Sequence, residues 1–104
     1  MGQLIKVSEK ITFSGEVAPQ IILAKPKFRV MLVCLNKDQE ILPHPGDEAV
    51  FYIISGSGLF FTDSGEIKIH QGDIVILENG EKRGIKADEP LVILVNKSPN
   101  ATNP

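Results

Sequence analysis

Residues Leu42 to Gly58 read Leu-Pro-His-Pro-Gly-Asp-Glu-Ala-Val-Phe-Tyr-Ile-Ile-Ser-Gly-Ser-Gly, and this run leaves the chain few architectures. Prolines bracket His44 and cannot donate to a β ladder. Two acids then precede a segment rich in β-branched and aromatic residues, which stops at Gly-Ser-Gly. Polar chemistry is thereby set at the mouth of a strand. With Val50 to Ile54 as one arm and Leu59 to Thr62 as the other, the run predicts a β-hairpin turned by Gly56 and Gly58.

Elsewhere, apolar residues come in short β-branched runs bounded by Gly, Pro, Asp and Asn, and no window keeps a helical period. Leu4 to Val7 and Ile11 to Phe13 read as opening strands, Pro19 to Ala24 as the next, and Phe28 to Leu35 as a long, nearly continuous apolar strand. Such continuity means that both faces meet protein, from a second sheet or from a partner subunit. Glu40 to Leu42 reads as a strand, His44 to Asp47 as a loop, and Glu66 to His70 as a strand with one wet face. Ile74 to Leu77, Gly84 to Ala87 and Leu91 to Asn96 complete the set. Residues 1–97 are expected to form one domain and 98–104 a loose C-terminal tail, because 104 residues leave no material for a second core. Roughly eight to ten short strands with regular turns indicate an all-β sandwich or barrel.

The first run resembles the first motif of the cupin superfamily, in which two histidines and a glutamate precede a Phe-Tyr-Val-like strand ending in glycine. Gly72 to Gly84 resembles the second motif, with Gly72-Asp73 opening a strand and Glu78-Asn79-Gly80 where the family usually has Pro-x-Gly. The resemblance, which covers about Phe28 to Val95, implies a double-stranded β-helix, the jelly-roll barrel, and a homodimer.

In that family the motif residues hold a divalent transition metal, and here the match is partial. His44 fits one of the first-motif histidines, with Leu42 or Gly46 standing where the other belongs. Counting forward from His44 puts the glutamate at Glu48, while counting back from Phe51-Tyr52 puts Ala49 there. A slip of one residue reverses the face. The second-motif histidine falls on Arg83, which is always protonated and cannot bind a cation. A metal, if held, would rest on His44 and Glu48, so the expectation is a barrel with no metal cofactor. Arg83 could clamp a carboxylate or phosphate, pair with Glu48, or lie in water with Glu81 and Lys82. Taken together, the residues predict binding of a small, anionic molecule by His44, Glu48, Tyr52 and Arg83, with Phe51, Ile53, Phe60 and Ile76 as candidate walls. The alternatives are an oxygenase or isomerase, including a metal-free isomerase using His44 and Glu48, and a structural protein with a filled barrel.

Composition narrows partners. Acids outnumber bases only 13 to 11, and the lysines are spread along the chain, so no basic stripe exists to hold nucleic acid. No apolar run approaches the ~18 residues of a membrane helix. The lone Cys34 forms no internal disulfide and reads as a buried thiol, and the residues after Met1 lack an export signature, which points to the cytoplasm.

Overall fold

The computed structural model describes residues 2–99. A 3-10 turn, Val7–Glu9, precedes nine strands: β1 (Gln20–Ala24), β2 (Arg29–Leu35), β3 (Glu40–Pro45), β4 (Glu48–Ser55), β5 (Ser57–Thr62), β6 (Gly65–His70), β7 (Ile74–Leu77), β8 (Lys82–Ala87) and β9 (Leu91–Ser98). All pairings are antiparallel. They build a five-stranded sheet, β1-β2-β9-β4-β7, and a four-stranded sheet, β3-β8-β5-β6. The all-β jelly roll expected from the sequence is the fold observed. No helix among the described residues is long and apolar enough to cross a membrane.

Alternation along each strand decides what fills the space between the sheets. On β4, Ala49, Phe51 and Ile53 point inward and are buried, while Glu48, Val50 and Tyr52 point outward. On β9, Leu91, Ile93 and Val95 lie in the same core as Phe60 of β5, Ile69 of β6 and Ile85 of β8. The rings of Phe51 and Phe60 meet edge-to-face across the two sheets, with centroids 5.0 Å apart.

The hairpin expected between Val50–Ile54 and Leu59–Thr62 does not form, because β4 and β5 belong to different sheets. Gly56 turns the corner with φ +90, and a Cβ there would fall 2.1 Å from the Pro90 carbonyl oxygen. The chain crosses the barrel at this point instead of folding back along itself. The tight turn at Asp63-Ser64 does join a hairpin, β5 to β6.

Four further expectations change. The segments Leu4–Val7 and Ile11–Phe13 are not strands. Gln3, Ile5 and Val7 instead sit over the outer face of the larger sheet near Val30, Leu32 and Leu94. Leu32, on the outer face of β2, is 1% exposed, so the apolar continuity of that strand is accounted for within the chain. His44 lies on β3 rather than in a loop, and Cys34 is half-buried. Ser98, expected in the tail, is paired with Glu48 on β9, and residues 100–104 of that expected tail lie outside the described ones.

Candidate functional site

The two sheets do not close completely at one end. A cavity of about 110 Å³ remains there. Its deeper wall is apolar, from Met31 and Val33 of β2, Phe51 of β4, Ile85 of β8 and Val95 of β9. Its polar side is formed by His44, Asp47, Arg83 and Lys97.

Arg83 is the one buried charged residue among those described, at 6% exposure. It sits on β8 opposite His44 of β3, and its guanidinium carbon lies 5.8 Å from the centre of the Phe51 ring. Nε and Nη2 both donate to the Glu81 carbonyl, at 3.2 and 2.9 Å, Nη2 donates to the Glu78 carbonyl at 3.4 Å, and Nη1 donates to the carbonyl of Asp47. Four of the five N–H groups a guanidinium carries are therefore committed to main chain. Those bonds fasten the β3–β4 loop to the β7–β8 turn, as does the Gly80 N–H, which donates to the Gly46 carbonyl at 2.8 Å.

Burial pushes the pKa of Arg83 below that of an ordinary arginine, and the charges of Asp47 and Glu81 act in the opposite direction. Among the described residues the one lysine or arginine to carboxylate pair is Lys97–Asp47, and it does not include Arg83. A guanidinium satisfied by carbonyl dipoles, with no carboxylate against it, is a fixed positive charge beside an apolar space.

His44 is exposed at the rim, where Nδ1–H donates to the Leu42 carbonyl at 3.0 Å, leaving Nε2 free of that bond. Gly46 packs against the guanidinium so closely that a Cβ there would lie 3.0 Å from Nε. His44 and Arg83 thus line one cavity. Glu48 and Tyr52 do not, because the alternation of β4 turns both to the outer face. Of the two registers the sequence leaves open, the structure takes the one that turns Ala49 inward, where it is 2% exposed. Ile76, expected in the wall, is 67% exposed on the outside.

The donor set does not fit a metal. At the positions in question the chain presents His44, Gly46, Ala49 and Arg83, and no three His, Cys, Asp or Glu residues among those described converge as ligands. Two site residues were missed in the sequence. Asp47 ends the segment expected to be a loop, and Lys97 is the last residue of the expected domain, next to the polar tail. The signal for Lys97 was present: Leu91, Ile93, Val95 and Lys97 fall at a period of two, so one more step along the core face of β9 reaches it.

A family model described as Cupin domain matches residues 31–96. No curated protein matches the sequence significantly. Among solved structures, the chain is similar to an uncharacterized conserved protein with a double-stranded beta-helix domain from Klebsiella pneumoniae, at TM-score 0.86 and 22% identity over 99% of this chain and 95% of that one. An RmlC-like cupin protein from Desulfovibrio desulfuricans superposes with TM-score 0.86 at 17% identity, covering 95% of this chain and 98% of the other. A conserved protein of unknown function from Streptococcus pyogenes gives 0.82 at 15% identity, covering 98% and 91%. At these identities the likeness establishes a shared fold.

Proposed function

This chain belongs to the cupin domain family, and from that premise we propose that it binds a small anionic molecule in the cavity between its sheets, without a tightly held metal. The observation that carries the proposal is Arg83: a buried cation with no carboxylate partner among the described residues, at a cavity whose other wall is apolar. Burying a charge is costly unless something of opposite sign meets it, and a bound anion would complete what the carbonyl dipoles begin. The cavity itself weighs against a barrel filled by side chains. The pairing of His44 with Glu48 as acid and base loses its support, since the two residues lie on opposite sides of the sheet wall.

A homodimer is part of the same proposal. The outer face of the larger sheet leaves Val50 opposite Ile76 and Tyr52 opposite Ile74, all exposed, as an apolar patch. A monomer mass in light scattering at micromolar concentration would remove the dimer and leave the binding site untouched.

The test of binding is a thermal-shift panel of small carboxylates, sugar phosphates, and neutral alcohols and amides of matching size. An anion at a hundred times its dissociation constant should add about 2.7 kcal/mol of stability. Neutral compounds that stabilise as well as the anions, or a panel with no response, would overturn the proposal.

A further inference from the structure

The two cations at the cavity are tied down to different degrees. Arg83 has committed four N–H groups to main-chain carbonyls and cannot turn toward a ligand without releasing them. Among the described residues the salt-bridge partner of Lys97 is the Asp47 carboxylate, at 4.0 Å, and the two side chains are 29% and 26% exposed. An ammonium on a four-carbon stem, held at the outer limit of an ion pair, is free to change partners.

We propose, resting on the anion-binding reading above, that the ligand is a monocarboxylate with a short apolar body. Lys97 takes its charge, and the Asp47 carboxylate is an internal stand-in that the ligand displaces from Lys97. Charge balance along the lining supports a monoanion: of the side chains that line the cavity, Arg83 and Lys97 supply two positive charges and Asp47 one negative, while Glu81, which also acts on Arg83, lies outside the lining. Shape supports a carboxylate, whose two oxygens can accept from the Lys97 ammonium and from the remaining Nη1 hydrogen of Arg83. Space is available beside Lys97 because its register partner on β4 is Ala49, whose side chain is a single methyl group. The apolar wall and a volume of about 110 Å³ suit a body of a few carbon atoms.

Asp47 makes the test clean, since it uses different atoms for the two cations. Its carbonyl holds Arg83 and its carboxylate holds Lys97, so Asp47→Asn removes the competitor and keeps the Arg83 contact. Calorimetric titration of the full chain with butyrate, butyramide and methyl phosphate is the experiment, with a circular-dichroism melt of each variant as the folding control. Butyrate should bind more tightly than either of the others. Lys97→Met should weaken butyrate about tenfold while leaving butyramide unchanged, as expected for loss of one charged hydrogen bond. Asp47→Asn should tighten butyrate several-fold. Wild-type affinity for butyrate in folded Lys97→Met, weaker binding in Asp47→Asn, or a preference for methyl phosphate would overturn the assignment. If neither butyrate nor any other carboxylate binds the wild-type chain, the anion-binding reading itself falls; if they bind and the two variants change nothing, only the roles given to Lys97 and Asp47 fall.

Discussion

Arg83 donates from Nη1 to the main-chain carbonyl of Asp47, while the carboxylate of the same residue is turned to Lys97. One loop residue therefore serves a fixed cation through its backbone and a mobile one through its side chain. The backbone bond is independent of which side chain stands at position 47, so the closure of the barrel mouth and the charge state of the cavity can be altered separately.

Replacing Arg83 tests the closure. Arg83→Lys keeps the charge but cannot reproduce a fork reaching the carbonyls of Asp47, Glu78 and Glu81, and Arg83→Ala loses the charge as well. Losses of about 2 to 4 kcal/mol are expected for both in urea unfolding, with Arg83→Ala the larger, because buried carbonyls are left unpartnered.

Gly46 is constrained by that same guanidinium. Gly46→Ala should cost about 1 to 3 kcal/mol by pressing its methyl into Nε and the guanidinium carbon. A double-mutant cycle with Arg83→Ala should be strongly non-additive, since the shortened side chain removes the contact. Additive unfolding energies would mean that the glycine is required for another reason.

Gly56 holds the crossing between sheets. Gly56→Ala combines a left-handed φ of +90 with a Cβ aimed at the Pro90 and Leu91 backbone, which cannot give way as a flexible side chain can. A loss above about 3 kcal/mol is expected, visible as a large drop in the urea midpoint. A hairpin at this position would tolerate the change far better.

Glu48→Gln and Tyr52→Phe should leave carboxylate affinity within about twofold of wild type, since both side chains lie across the sheet from the cavity and surface changes of this kind stay within ±0.5 kcal/mol. Calorimetry on the two variants checks this, and a large loss in either would move the site to the outer face.

Metal analysis of protein purified without a histidine tag should find less than about a tenth of an equivalent of transition metal per chain, because a held ion needs several placed ligands and the described residues present too few. Zinc or nickel added at modest excess should leave the melting temperature unchanged.

Most strands were legible from short-range pattern. Runs such as Ile74–Leu77 and Leu91–Val95, bounded by glycine, proline and asparagine, mark extended chain whatever they pair with. The cavity residues were half legible: His44 and Arg83 stood out by their place in the two motifs, while Lys97 was hidden by the polar tail that follows it.

Local sequence determined that this chain is built of strands, roughly where each begins and ends, and that its motif residues include an arginine in place of an imidazole. Tertiary structure alone decided that Gly56 sends β5 to the opposite sheet, that Ala49 and not Glu48 looks inward, and that Asp47 and Lys97 join Arg83 at one cavity. The physical reason is that strand propensity belongs to a few neighbouring residues, whereas partner and face are set by hydrogen bonds and burial between segments far apart in the chain, where a shift of one residue exchanges every inward side chain for an outward one.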